Sequence, residues 1–318
     1  MQNQSNEEAR DVLEIAEQYA GWRIDKVLAE LLPEHSRANL QKWLKAEKIL
    51  LNGKPAAAKY KVSTGQIINI VEIPEAHNNV DMPQDIAIDV VYDDADVIVV
   101  DKPVGMVMHP GTGNHDKTLL NALLYKFPEL SKLPRAGIVH RLDKDTSGLL
   151  VVARSLVAHT DLVRQLQQRS MERIYETIVY GSMISGKTIN LPIGRHATQR
   201  VKMAVMQNGR SATTHIRVIE RYKQHTLLRI KLETGRTHQI RVHLSHIGYP
   251  IIGDHTYTKL RLPKGATSEV IQEFRNIGHQ LLHAKSLQFT HPSTGELMSF
   301  NSELPQEMQK FKELLRAC

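Results

Sequence analysis

The chain has 318 residues, 41% hydrophobic and 24% charged, with a formal net charge of +7. That is a globular composition, which excludes a disordered or fibrous chain, and the cationic excess admits a polyanionic partner without demanding one. The single cysteine, Cys318, excludes an internal disulfide framework and cysteine-paired zinc sites, and no run approaches the ~20 apolar residues of a membrane span.

Residues 1–18 read as a flexible leader, and Met1 to Arg10 lacks the apolar run of a signal peptide. A reducing, cytoplasmic setting is therefore expected. Residues 19–73 read as a small independent unit. Ile24, Val27, Leu28, Leu31 and Leu32 fall on one helical face, which Pro33 stops. Ser36 is placed to cap a second helix burying Leu40, Trp43 and Leu44. Asn52-Gly53 signals a hairpin, and Gly65 to Ile70 alternates like a strand. Arg37, Lys42 and Lys45 sit off the apolar stripe, so they form either an RNA-facing surface or an ordinary solvated helix face. The polar stretch 74–87 is expected to be an inter-domain linker.

From residue 88 to 318 a larger domain of strands and helices is expected. Val97 to Val100 reads as a buried strand, and Thr118 can cap a helix carrying Leu119, Leu120, Leu123 and Leu124. Gly137-Ile138-Val139 and Leu149 to Ala153 read as short buried strands on either side of a polar loop held at a sheet edge. Residues 155–168 read as a helix. The strand at 173–181 places Tyr175, Thr177 and Val179 on one side, and another strand follows at 227–233. Thr234-Gly235-Arg236-Thr237 turns into a helix beginning near His238, and 282–284 with 289–292 make a late strand pair.

The polar loop concentrates the chemistry, because His140, Arg141, Asp143, Lys144 and Asp145 lie within six residues. Loops held on rigid scaffolds are where reactive side chains collect. A calcium loop beginning at Asp143 fails at its twelfth position, where a bidentate Glu is needed and Arg154 stands. The Asp-x-Asp of a magnesium-dependent phosphatase would follow its strand directly, whereas His140-Arg141-Leu142 intervenes here. Helical separations of five and three keep His238, His243 and His246 off a common face, so no metal site is expected. Ser147 lacks a Gly-x-Ser-x-Gly elbow. One carboxylate remains, Asp143, among donors and cations. Arginine favours an ionised carboxylate, and Arg236, at the turn before a helix, is the expected distant partner. A buried ion pair that only organises the core is the bland alternative.

Two sets of motifs carry a resemblance. Arg23 to Leu28, Ser36-Arg37, Leu51-Asn52-Gly53-Lys54 and Gly65 to Ile68 resemble an S4 RNA-binding domain. That resemblance implies phosphate contacts from Arg37, Lys42, Lys45 and Lys54. His140 to Leu149, Asp96 to Gly105 and Thr234 to His243 resemble, in family order, the motifs of the RluA family of pseudouridine synthases. The implied fold is α+β: a small S4 domain, then a catalytic domain on a mixed, largely antiparallel sheet with flanking helices and a central cleft. The resemblance implies that Asp143 is the essential carboxylate, Arg236 its ion-pair partner and Tyr175 the aromatic stacked on the target base. Arg141 would hold the flipped nucleotide or fill its place. It further implies a cofactor-free, metal-free isomerisation, with 23S ribosomal RNA of an assembling large subunit as partner. A monomer is the default expectation, and no membrane partner is expected. A neighbouring branch with other target uridines, or an assembly factor without turnover, is the alternative.

Overall fold

The computed structural model describes residues 11–32, 37–71, 82–111, 113–199 and 201–317. The chain divides into two compact units, Met1–His77 and Asn78–Cys318. The first contains β1 (Asp11–Glu14), α1 (Ile24–Leu31), α2 (Arg37–Lys45), β2 (Ile49–Leu51), β3 (Lys54–Pro55) and β4 (Ile67–Ile70). Its antiparallel sheet has the order β1-β4-β2-β3. Val27 and Leu28 of α1 and Leu40, Trp43 and Leu44 of α2 pack with Ile49, Leu51, Ile68 and Ile70. The expected helical faces and hairpin are present. Pro33 and Ser36, the expected stop and cap, lie outside the described residues.

Residues 11–15, expected to belong to a flexible leader, form part of the first unit. β1 adds to the free edge of β4, pairing Leu13 with Ile68, and Ile15 is fully buried. Leu13 and Ile15 alternate with exposed Val12 and Glu14, a period-two pattern hidden by the polar composition around it.

The second unit contains β5 (Asp89–Asp93), β6 (Val97–Lys102), α3 (Leu119–Lys126), β7 (Ser147–Ala153), α4 (Leu156–Gln168) and β8 (Glu172–Tyr180). β9 (Lys187–Asn190), β10 (Ile193–Arg195), β11 (Met203–Val205), β12 (Thr213–Arg221), β13 (His225–Leu232) and α5 (Gln239–His246) follow. The chain continues through α6 (Ser268–Asn276), β14 (Leu282–Thr290), β15 (Leu297–Asn301) and α7 (Gln306–Arg316). The main sheet runs β5-β6-β7-β14-β8-β13-β12-β9, with β15 also on β14. Its one parallel pairing is β7 with β14, so the sheet is mixed and largely antiparallel as expected. β7 is buried at every residue, because side chains of α3 cover one face and those of α4 the other. That accounts for its uninterrupted apolar run.

Two strand expectations fail. Gly137-Ile138-Val139 is not a strand: Pro134–Gly137 is a tight turn and Ile138 makes a single bridge to Val152. Arg135 and Ala136 adopt φ of 53° and 51°, left-handed values that break an extended run. The late pair 282–284 and 289–292 mostly belongs to one strand, β14, whose hairpin partner is β15. The polar loop therefore leads into an interior strand, not a sheet edge.

Candidate active site

The loop before β7 is held from beneath. Lys102, fully buried at the end of β6, donates to the carbonyls of Pro103, Met106 and Lys144 at 2.8, 2.9 and 3.0 Å. Burial pulls its pKa down to about 8, against the opposing pull of Asp145, Asp143 and Asp101. Three acceptors match the three N–H bonds of an ammonium, so the charged form fixes the carbonyl next to Asp143. A turn bond from Thr146 N–H to Asp143 O, 3.1 Å, closes the loop. The loop's side chains then line a cavity of about 930 Å³ together with Tyr175 of β8, the 233–238 segment and the start of α5.

Asp143 accepts from Arg241 Nη1 at 3.1 Å, and His238 Nε2 stands 4.0 Å from its other oxygen. Arg241 is buried and also donates to both oxygens of Asp254 at 2.8 Å and to Thr256 Oγ1 at 3.0 Å. Burial alone would lower its pKa; Asp254 and then Asp143 reverse that and hold it charged. His238 precedes α5 in a left-handed conformation, φ 56°, with Nδ1 2.8 Å from Tyr257 Oη. Burial lowers its pKa, with Asp143 opposing. Burial likewise pushes the Tyr257 phenol up to about 12.

The expectation for Arg236 is therefore corrected: the partner of Asp143 is Arg241. Arg236 lines the same cavity, but its Nε donates to the Ser211 carbonyl at 3.0 Å. Its backbone N–H binds Gln239 Oε1 at 3.0 Å, which belongs to the start of α5. The left-handed residue at His238 redirects the chain, so Arg241 in the first turn of α5, not the turn residue, reaches the carboxylate. Both arginines lie in the same motif. The available signal was the buried acid Asp254 after Ile251-Ile252-Gly253, which demands a cation.

Tyr175 is buried in the cavity wall, and burial raises its pKa, opposed by the nearby Arg173 charge and aided by that of Asp143. It is a neutral phenol at neutral pH, suited to stacking and poorly suited to removing a proton. Arg141 is exposed and lines the cavity. In the first unit, Lys42, Lys45 and Lys54 are exposed. Arg37 is partly engaged in folding, since its Nη2 donates to the buried Asp25 at 2.9 Å. Asp25 also takes Arg23 and Gln41; burial raises its pKa, but these hydrogen bonds outweigh it and lower the value to about 2.

A carboxylate fixed by a buried guanidinium, facing an aromatic ring in a basic cavity, suits chemistry on an extruded nucleotide. Comparison with known proteins agrees. Residues 96–246 match the model of the RNA pseudouridylate synthase family, and residues 22–68 match the S4 domain. The chain is 48% identical over 304 residues to ribosomal large subunit pseudouridine synthase D of Pseudomonas aeruginosa, covering 95% of each. It is 46% identical to the protein of the same name from Escherichia coli, covering 95% of this chain and 93% of that one. Among solved structures, human RNA pseudouridylate synthase domain containing 1 is similar at a TM-score of 0.53 and 26% identity, covering 73% of this chain and 96% of that one. The chain belongs to the family of RNA pseudouridylate synthases, here with an S4 domain ahead of the synthase domain.

Proposed function

We propose that this chain isomerises uridine to pseudouridine in 23S ribosomal RNA, with Asp143 as its essential carboxylate. The observation that carries the reading is the Asp143–Arg241 pair facing the same cavity as Tyr175. The likeness to large-subunit synthases D supports the RNA class and the target branch. The reaction breaks the N1–C1′ bond, rotates the uracil and rejoins it through C5. A base inside a helix is out of reach, so it must be flipped, at a cost of a few kcal/mol that stacking and basic contacts offset. Tyr175 supplies the stacking face. Arg141 at the cavity mouth holds the flipped nucleotide or fills its vacated place. Arg241 keeps Asp143 oriented and ionised, so that it either adds to C1′ or takes the C2′ proton.

Exposed Arg37, Lys42, Lys45 and Lys54 supply salt-dependent affinity for a stem-loop. A target that must be extruded is most accessible before the subunit is fully packed, which favours an assembling particle in the cytoplasm, approached by a monomer. Among the described residues no helix is long and apolar enough to cross a membrane. The test is incubation with 23S ribosomal RNA in EDTA, followed by carbodiimide modification and primer extension. New pseudouridine stops that vanish with Asp143→Asn are expected. Retained RNA binding without any new stop would assign the chain to assembly without turnover.

A further inference from the structure

Three buried side-chain nitrogens in the wall of the Asp143 cavity have no hydrogen-bond partner: His109 Nε2, His140 Nδ1 and Arg173 Nε. Among the described residues only two other buried side-chain atoms, on Tyr222 and His283, are in that condition. Buried polar atoms are nearly always satisfied, so orphans gathered in one wall mark where a partner arrives.

Arg173 is the most informative of them. It stands on β8 two residues before Tyr175, so both side chains leave the same face of the strand. It is 6% exposed, and among the described residues no carboxylate pairs with it. Burial lowers its pKa. An uncompensated buried guanidinium is costly to keep. Its Nη1 lies 3.0 Å from where a Cβ on Gly235 would stand, so the missing side chain there leaves it room. His140 is its neighbour in the electrostatic sense. Val151 N–H donates to His140 Nε2 at 3.1 Å, so Nε2 is unprotonated and the neutral ring carries its hydrogen on Nδ1. Burial and then the charge of Arg173 hold that ring's pKa down to about 3, which keeps it neutral. The wall thus presents guanidinium and imidazole N–H groups awaiting acceptors.

We propose that Arg173 and His140 form the uracil-recognition wall of the cavity. They donate to the carbonyl oxygens of the target base, and Arg173 takes up the charge that develops on the uracil when it leaves. This assignment rests on the synthase reading above. A backbone phosphate is the competing anion, but it must continue into nucleotides on both sides, which suits poorly the buried positions of Arg173 and His140. The base is a terminal group and suits them better. Exposed Arg135, Arg141, Arg169 and Arg210 at the same cavity are placed for phosphates.

The chemistry fits a fixed donor wall. The C1′–N1 bond breaks with its electron pair on N1, from where the charge spreads to O2 and O4. C1′ is satisfied by a bond to the Asp143 carboxylate, or by a double bond to C2′ as Asp143 takes the C2′ proton. A half-turn of the uracil about its N3–C6 axis puts C5 where N1 was and exchanges O2 with O4. Donors fixed in the wall therefore meet a carbonyl oxygen before and after rotation. The C5–C1′ bond then forms as the C1′–O bond to Asp143 breaks with its pair returning to the carboxylate, or, on the other route, as C2′ regains its proton from Asp143. The C5 proton leaves to solvent and N1 gains a proton.

The test uses full-length protein and 23S ribosomal RNA transcripts made with uridine or with 4-thiouridine throughout, read by nucleoside chromatography after nuclease digestion. Binding of Asp143→Asn to both transcripts controls for RNA folding. Arg173→Met should lower kcat on the order of 10²-fold, the loss typical of a removed oxyanion donor, while KM changes by less than about threefold. The thio substitution, a weaker acceptor, should slow the wild-type protein and leave Arg173→Met nearly indifferent. Arg173→Lys, which keeps the charge, should lose less kcat and covers the case in which Arg173→Met fails to fold. A rise in KM with unchanged kcat would place Arg173 on a phosphate and overturn the assignment, as would equal thio sensitivity in wild type and variant. No pseudouridine from wild-type protein on the uridine transcript sinks the synthase reading itself, and the base assignment with it.

Discussion

Arg241 commits two of its nitrogens to Asp254 and a third to Asp143, so one buried cation serves two acids. Removing it leaves both carboxylates uncompensated. Arg241→Ala should therefore cost about 3–5 kcal/mol of stability in urea melts and abolish turnover. Arg236→Ala should leave the melt within about 0.5 kcal/mol and weaken RNA binding more than kcat. Equal damage from the two would return Arg236 to the pairing role. Asp143→Asn keeps the shape and loses the charge, so filter binding of RNA should stay within about threefold while pseudouridine formation disappears. The sequence singled out Asp143 as a carboxylate among donors and cations, but the loop alone left a core-organising ion pair as an equal reading, and its proposed role came from the motif resemblance. Arg241 was not singled out. Choosing between two arginines five residues apart requires the left-handed turn at His238, and no spacing rule encodes that φ. Arg173 and His140 were equally hidden, because an orphaned atom is defined by its surroundings.

β7 fixes the loop that carries Asp143, and its register depends on one close approach. A Cβ on Gly148, at φ 110°, would lie 2.4 Å from the Ala284 carbonyl oxygen of β14. Gly148→Ala should destabilise the synthase unit by ~3 kcal/mol or more and lower activity with it, checked by calorimetry beside turnover. In the first unit, α1 and α2 meet over Asp25, which draws Arg23, Arg37 and Gln41 together. The pKa of Asp25 is about 2 in the folded chain against 3.8 for the free group. Its contribution is thus present above about pH 4 and is lost as pH falls through 2. Melts of the wild-type chain between pH 4 and 2 should show that loss, and Asp25→Asn should flatten it. Most elements were legible from periodicity, including both helical faces of the first unit. Two of the exceptions share a cause. β1 hides four residues inside a polar stretch, and Pro134–Gly137 hides left-handed residues in an apolar one; local composition outvoted the pattern in each.

The excess of cations over acids, 41 against 34, acquires meaning only through its placement. Arginines ring the cavity in one unit, and Arg37, Lys42, Lys45 and Lys54 line the helix and hairpin of the other. If the latter meet phosphates, replacing Lys42, Lys45 and Lys54 with Gln should reduce the slope of log affinity against log salt by about 2. Turnover at saturating RNA should change little. An unchanged slope, measured by filter binding from low to moderate salt, would make them a solvated face. Charge and composition pointed toward RNA no better than evenly. The motifs did the discriminating, since they fix residue type and order together.

The sheet order β6-β7-β14-β8 also dictates when the site can exist. β7 and β8 are near neighbours in sequence, yet β14, whose first residue comes 102 positions after the last of β8, lies between them. The loop of Asp143 and the strand of Tyr175 thus take their final spacing only once that late segment has inserted. Pairings this distant in sequence make for slow, high-contact-order folding. During synthesis the chain passes Asp143, Tyr175, Arg173, Arg241 and Asp254 well before β14 emerges. A nascent chain stopped before Leu282 would hold every residue named for the chemistry and still be inert.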